Sequence, residues 1–323
     1  MKIDNNKERL ELSIVVPVYN EKENVSILCN QLTRVCDSIG ISCEFLFVDD
    51  GSSDATYEAL SALHRQNPRI RLIRFRRNFG QTAAMSAGFE HARGRTIISM
   101  DGDLQNDPAD IPRLMAKLEE GHDVVCGWRK NRQDKFWSRR LPSVVANWLI
   151  GLITGVPIHD NGCSVKAYRA SVIKQVQLYG ELHRFIPAMS TLAGAKAAEI
   201  IVNHHARKYG KSKYGISRIW RVVLDIITVK MIVGFATRPA LWFGLMSVPF
   251  ITLGLLILSI ASFKYFENLF EAWVVMSTTA FLSLFLGVHL LSTGIIAELF
   301  VKTGDYSPRE SLNPTLSEIE VNR

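Results

Sequence analysis

From residue 12 to Trp128, short apolar runs alternate with stretches of helical period. Leu12 to Tyr19 (LSIVVPVY) is rich in β-branched residues and predicts a strand, and Asn24 to Ser38 predicts a helix that closes at Gly40. The pattern continues with Cys43–Asp50 as strand, Ser53–Gln66 as helix, Ile70–Phe75 as strand, Gln81–His91 as helix and Arg95–Asp101 as strand. Asp107 and Pro108 open a further helix that stops near Gly121, and Asp123–Trp128 is the next strand. Such alternation predicts an α/β fold whose mostly parallel sheet carries helices on both faces. Ligands of these sheets bind beyond the carboxyl ends of the strands. Three polar clusters fall there: Tyr19-Asn20-Glu21, Asp49-Asp50-Gly51 and Asp101-Gly102-Asp103.

Beyond residue 215 the pattern changes. Leu241–Phe263 and Trp273–Ile296 are almost continuously apolar, and each reaches the ~20 residues that span a hydrocarbon core. Two transmembrane helices are expected, in preference to two buried core helices, because both runs are long and carry aromatic residues at their edges. The connection Lys264–Glu271 holds one Lys, whereas His204–Pro239 holds eight Lys or Arg, so the large domain and both termini are expected on the cytoplasmic side. Ser217–Phe235 places Arg218, Arg221, Asp225 and Thr228 in a narrow polar stripe on an apolar helix, which predicts an amphipathic helix lying in the interface. Leu141–Val156 is apolar but short and follows a basic run; it reads as interfacial or re-entrant, with a third span as the weaker alternative. The expected organisation is a soluble domain over 1–215 with an interfacial segment at about 135–156, an interfacial helix over 216–239, a two-helix hairpin over 240–300, and a loose tail over 301–323. Small and polar residues from Met276 to Ser283 offer a packing face for another helix, as in a homo-oligomer, dimer or tetramer. His289, alone in the second run, is expected to hydrogen-bond between helices.

Composition adds two constraints. The 323 residues carry 38 basic and 31 acidic side chains, a balance of +7 that suits an anionic partner: nucleic acid, a membrane surface or a phosphorylated substrate. The five cysteines, Cys29, Cys36, Cys43, Cys126 and Cys163, show no zinc spacing and read as reduced thiols. The start, MKIDNNKERL, lacks the apolar core of a signal peptide.

Asp101 and Asp103 stand one residue apart at the tip of an apolar strand, separated by a glycine that permits an unusual turn. Two hard oxygen donors so placed form a clamp for Mg²⁺ or Mn²⁺, which complete their shells with water and substrate phosphates. An isolated DGD would more often be a solvated turn. Here VPVYNE and VDDGSSD bring polar groups to two other strand ends, in an order that lets all three converge.

These segments carry a resemblance. VPVYNE (Val16–Glu21), VDDGSSD (Val48–Asp54), NFGQTAAMSAG (Asn78–Gly88) and MDGDLQNDP (Met100–Pro108), in this order and spacing, resemble the GT-A domain of the inverting family 2 glycosyltransferases. Within it they are similar to the polyprenyl-phosphate branch, which includes dolichyl-phosphate mannose synthase, bactoprenol glucosyltransferase and the undecaprenyl-phosphate formamido-arabinose transferase. The similarity runs from about residue 12 to the hairpin near 300. It implies that Pro17, Tyr19, Glu21 and Gln81 line the nucleotide pocket, that Asp49 or Asp50 reaches the base, and that Asp101, Gly102, Asp103 and Gln105 hold the metal and the donor diphosphate.

HDNGCSVKAYR (His159–Arg169) matches the family segment that enters the active site, and HHARKYGKSKYG (His204–Gly215) the segment before the membrane. Gly210-Lys211-Ser212 hints at a phosphate loop, but the earlier glycine it requires would be at 205, which is His. Arg129, Arg140, Arg207, Lys211, Ser212 and Lys213 instead read as ligands of an acceptor phosphate, against the alternative that juxtamembrane cations only touch anionic lipid. Asp160 orients one of these cations, acts as a base, or stabilises charge on the sugar ring; orientation is favoured, and with Asp103 it forms the expected catalytic pair. His159, His204 and His205 read as packing or interface residues rather than ligands.

The expectation is thus inverting transfer from a UDP-sugar, with glucose favoured over formamido-arabinose, GlcNAc or GDP-linked mannose, to a polyprenyl phosphate, with Mg²⁺ or Mn²⁺ and no nucleic-acid partner. A processive polysaccharide synthase is disfavoured because no QxxRW-like motif is present, and a non-catalytic nucleotide-binding scaffold because DGDLQ is intact. A Rossmann oxidoreductase would need GxGxxG where this chain has PVYNEKEN.

Overall fold

The computed structural model describes residues 10–130, 147, 150–151, 155–176, 178, 182–192, 194–206, 238–266, 270–303 and 316–317. The chain divides into two compact units, residues 1–226 with 307–323, and residues 227–306.

The first unit is built on one sheet: β1 (Leu12–Val18), β2 (Cys43–Asp49), β3 (Ile70–Phe75), β4 (Thr96–Ser99), β5 (Val124–Trp128), β6 (Lys166–Arg169), β7 (Ala197–Ile201) and β8 (Leu316–Ser317), in the order β7-β5-β6-β4-β1-β2-β3-β8. β1 pairs parallel with β2 and β4, β2 with β3, and β5 with β7; β6 is antiparallel to both β4 and β5. Every residue of β1 and β2 is buried, as both faces are covered. One face packs on α1 (Lys22–Ile39), α2 (Thr56–Gln66) and α4 (Ile111–Glu119), through Leu28, Leu60 and Leu114 against Ile14, Val16 and Phe47. The other packs on α3 (Gln81–His91), α5 (Ala170–Ile173) and α6 (Ile186–Leu192), through Met85, Phe89, Ile173 and Ile186 against Val15, Val48 and Tyr168. α3 lies very close to the sheet: a Cβ on Gly88 would fall 2.2 Å from Val15 Cγ1.

The five strands expected up to Trp128 are present, and three more complete the sheet. β6 is four residues long and sits inside HDNGCSVKAYR, which reads as an active-site segment; its strand character comes from the slot between β4 and β5. The expected helix after Asp107 starts as a 3-10 turn, Pro108–Asp110, before α4. The tail is not wholly loose, since β8 pairs antiparallel with the edge strand β3. The expected interfacial segment 135–156 lies largely outside the described residues; its end, Val156, is buried in the second core cluster of the sheet domain. The expected amphipathic helix over 216–239 also falls almost entirely outside them. All five cysteines are free and buried.

The second unit contains α7 (Pro239–Phe266) and α8 (Phe270–Thr303), of 28 and 34 residues, both longer than expected. At 1.5 Å per residue each exceeds the ~30 Å of a hydrocarbon core. Their apolar side chains are mostly exposed, with Leu245, Phe281, Phe285 and Phe300 on the surface, so they are not the buried helices of a soluble core. The helices meet where side chains are small. A Cβ on Gly254 would lie 2.7 Å from Leu284 Cγ, and one on Gly287 2.5 Å from Ile251 Cγ1. Within Met276–Ser283, Ala280 is buried and the Ser283 hydroxyl donates to the Phe250 carbonyl at 2.8 Å, so part of that face packs inside the hairpin. The His289 ring is exposed and stacks on Phe285 of its own helix at 6.3 Å, instead of facing α7.

Because the contact at Gly88 leaves no room, Gly88→Val is expected to destabilise the sheet domain by about 1–3 kcal/mol. Thermal denaturation of the detergent-solubilised protein checks this, and an unchanged midpoint would contradict the close approach.

Candidate active site

Since β1, β2, β4 and β5 run the same way and β6 runs against them, the loops after the first four and the loop before β6 all emerge at one end of the sheet. Chain order reverses between β1 and β4, which opens a crevice there. In spatial order the loops carry Arg129 (after β5), Asp160 (before β6), Asp101 and Asp103 (after β4), Tyr19 and Glu21 (after β1), and Asp49 and Asp50 (β2).

The acidic tip is held from two sides. Gln81, the first residue of α3, donates from Nε2 to Asp101 Oδ1 at 2.7 Å, and the Gln105 amide donates to Asp103 Oδ1 at 3.2 Å. Asp103 is only 7 % exposed. Gly102 is needed for a different reason than a turn: its φ is not left-handed, but a Cβ would sit 2.8 Å from Val18 Cγ1, so only glycine lets the tip lie against β1. The left-handed residue is Leu104, at φ 60. Burial first, and then the Asp103 carboxylate, push the Asp101 carboxyl up to about 6, against the opposing pull of Ser164, Arg129 and Lys166. Crowded negative charge of this kind fits a bound cation. Among the described residues no three His, Cys, Asp or Glu side chains gather into a metal cluster. Two carboxylates fit Mg²⁺ or Mn²⁺, which complete their shells with water and substrate oxygens.

The neighbouring loops lock one another. Both carboxylate oxygens of Asp50 accept backbone amides, from Phe79 at 2.7 Å and Gly80 at 2.9 Å, fixing the turn that presents Gln81 to Asp101. Asp49 accepts from the Ser52 amide at 2.9 Å and lies 3.5 Å from Arg74. Asn20, left-handed at φ 54, accepts from the Ser53 amide at 2.8 Å and donates its own amide to Ser52 Oγ, while the Glu21 amide donates to Thr56 Oγ1. Pro17 is buried and Tyr19 half-buried at the end of β1.

The basic side is built on an ion pair. Arg129 donates from Nε to Asp160 Oδ2 at 2.7 Å and from Nη2 to Oδ1 at 2.9 Å, a two-pronged contact with both side chains about nine-tenths buried. Beside it the His159 ring stacks on Trp128 at 4.3 Å and pairs through Nδ1 with Glu199. The stretch leading toward Arg207 starts at the acidic tip: the His205 amide donates to the Gln105 carbonyl at 2.8 Å, and Gln105 Nε2 faces the His205 carbonyl at 3.5 Å. Arg140, Arg207, Lys211, Ser212 and Lys213 lie outside the described residues.

Three participants escaped the sequence reading. His183, on the 3-10 turn Leu182–Arg184, shares a 2.7 Å hydrogen bond with Thr82, next to Gln81; its partner is 101 residues away, so no local pattern announces it. Glu199 on β7 holds His159. Lys166 is buried although it stands in the quoted HDNGCSVKAYR segment, where a charge flanked by Val165 and Ala167 was the available signal.

Comparison with known proteins places these features. The model of the family described as glycosyl transferase family 2 matches residues 13–177, half of the chain. A dodecaprenyl-phosphate galacturonate synthase of Rhizobium johnstonii is 45 % identical over 301 residues, covering 92 % of this chain and 89 % of the relative. Among solved structures, mannosyl-3-phosphoglycerate synthase from Rubrobacter xylanophilus aligns with a TM-score of 0.57 at 15 % identity, over 69 % of this chain and 74 % of its own. Glucosyl-3-phosphoglycerate synthase from Mycobacterium tuberculosis, solved with Mn²⁺, UDP and phosphoglyceric acid, aligns with a TM-score of 0.55 at 15 % identity, over 69 % and 78 %. The last two show a shared fold. With the family model spanning half of the chain and the Rhizobium relative nearly all of it, the chain belongs to glycosyl transferase family 2.

Proposed function

We propose that the protein transfers a uronic acid, galacturonate, from its UDP-linked donor to a polyprenyl phosphate, with inversion, at the cytoplasmic face of a membrane that α7 and α8 span. The observation that carries this reading is the meeting of opposite charges in one crevice, the Asp101/Asp103 tip after β4 beside the Arg129–Asp160 pair from the loops after β5 and before β6. A nucleotide diphosphate needs the first with a cation, and an anionic acceptor needs the second. The uronate replaces the glucose expected from sequence because a relative 45 % identical over most of both chains is a galacturonate synthase.

Pro17, Tyr19 and Glu21 would line the nucleotide pocket, with Asp49 closing it and Asp50 holding its wall through Phe79 and Gly80. A divalent ion held by Asp101 and Asp103, with Gln105 alongside, would supply positive charge to the departing diphosphate. Arg129, aimed by Asp160, would grip the acceptor phosphate, with Arg140, Arg207, Lys211, Ser212 and Lys213 as further ligands. The second pKa of a phosphate monoester is near ~6, so the acceptor is already a dianion at neutral pH and needs little help from a base. Asp160 is accordingly read as an orienting group, consistent with both its oxygens being engaged by Arg129. The apolar surface of the hairpin would anchor the chain in the membrane that contains the lipid.

The direct test is incubation of the purified full chain with undecaprenyl phosphate, Mn²⁺ and, in turn, UDP-galacturonic acid, UDP-glucose, UDP-GlcNAc, UDP-formamido-arabinose and GDP-mannose, with mass spectrometry of the lipid product. UDP-galacturonic acid is expected to give turnover. Turnover with UDP-glucose alone would retire the uronate, and none with any donor would retire the function.

Asp103→Asn is expected to lower turnover by about a hundredfold or more while the hairpin still inserts into membranes. UDP release in the presence of lipid phosphate measures it, and undiminished release would remove Asp103 from the site.

The raised Asp101 value gives a pH dependence. Its folded value, about 6, exceeds that of an unfolded aspartate, so ionising Asp101 costs metal-free stability as pH rises through that range, and a bound cation relieves the cost. Proton and metal compete for the same oxygens. Apparent Mn²⁺ affinity is expected to fall about tenfold per pH unit below that value, read as a shrinking Mn²⁺-induced rise in melting temperature between about pH 7.5 and about pH 5. A Mn²⁺ effect independent of pH would contradict the carboxylate assignment.

A further inference from the structure

Lys166 is 2 % exposed, and β6 holds it between two other strands, opposite Ser99 of β4 and Cys126 of β5. By strand alternation it shares a face with Tyr168, whose neighbours are the apolar residues of the second core cluster. An ammonium group buried there costs several kcal/mol of desolvation, and an apolar side chain of similar volume would fill the slot with no such cost.

Its surroundings show what the charge does. Nζ donates to the Asn161 carbonyl at 3.0 Å, inside the turn that joins Asp160 to β6. That turn has other ties: the Cys163 amide to the Asp160 carbonyl and Asn161 Nδ2 to the Ile158 carbonyl, both at 3.3 Å, are local, while the Asn161 amide donates to Asn147 Oδ1 at 3.3 Å and Arg129, just after β5, donates to Asp160 from its amide and its guanidinium. Lys166 ties the turn from within β6, between β4 and β5. It also lies within electrostatic reach of Asp101, Asp160 and Arg129, so three carboxylates, counting Asp103, meet two cations in this corner. Arg129 approaches Asp160 from the crevice, while Lys166 approaches the same turn from the core.

We propose that Lys166 is the positioning residue of the acceptor half-site: by anchoring the Asp160–Asn161 turn from within the sheet, it keeps Asp160 where it aims Arg129 at the acceptor phosphate. This rests on the proposed function. The donor half has its own ties through Gln81, Asp50 and Asn20 and feels Lys166 through its charge near Asp101, so with Mn²⁺ at saturation loss of the Asn161 tie should act mainly on the acceptor.

The experiment is steady-state kinetics of the full-length protein and its Lys166→Met and Lys166→Arg variants, with undecaprenyl phosphate and UDP-galacturonic acid each varied in turn. In Lys166→Met the KM for undecaprenyl phosphate is expected to rise about tenfold or more while that for the sugar nucleotide stays within about threefold, and Lys166→Arg, which keeps charge and donors, is expected to restore most of the loss. A residue needed only for folding would lower the yield of active protein and leave both KM values unchanged. If Lys166→Met is not recovered folded, Lys166→Gln is read by the same criteria. An acceptor KM that stays flat, or a joint rise of both KM values, overturns the proposal while wild-type turnover stands. Wild-type protein that uses no polyprenyl phosphate overturns the parent reading, and this inference with it.

Discussion

Two carboxylates one residue apart at the end of β4 set the terms for everything near them. Burial first, and then repulsion from Asp103 that a desolvated crevice screens far less than water does, push the Asp101 carboxyl up. Such a tip persists only if its surroundings hold it in place and supply positive charge. Gln81 and the Gln105 amide do the first; Arg129 and Lys166 do part of the second and leave the balance negative, which is the condition for a cation to bind.

Holding the tip is a collective property of loops that are far apart in sequence. Asp50 fixes Phe79 and Gly80, which fix Gln81, which in turn reaches Asp101. The β1 and β2 loops are stitched through Asn20, Ser52 and Thr56. On the other side the His204–His205 stretch is sewn to Asn106 and Gln105, so chain leading into the basic run starts at the acidic tip. These ties run between backbone and polar side chains, so among the described residues the loops around the acidic tip hold one another in place.

The hairpin has a different physics. Its helices meet through glycine, alanine and serine, with hydrogen bonds from the Ser283 hydroxyl to the Phe250 carbonyl and from the Ala240 amide to Glu298, and turn many of their large apolar side chains outward. Small-residue contact of this kind suits an apolar solvent, where burying more hydrocarbon between helices gains nothing.

The strand and helix alternation, the acidic tip, and the two apolar helices were readable from the sequence because each is encoded locally, in period, in turn chemistry and in length. So was the family resemblance, since its motifs sit at strand ends in fixed order. What tertiary structure alone decided depends on partners distant along the chain. β6 has only four residues and becomes a strand because β4 and β5 flank it; Asp160 meets Arg129 across 31 residues, and Thr82 meets His183 across 101. Gly102 looked like a turn residue and proved to be a spacing residue, since the side chain it must avoid belongs to Val18. The buried charge of Lys166 is the clearest case: its identity is in the sequence, but only the fold puts an ammonium under an aspartate turn. Local pattern specifies elements, whereas the electrostatics of a site are set by which elements the sheet order brings side by side.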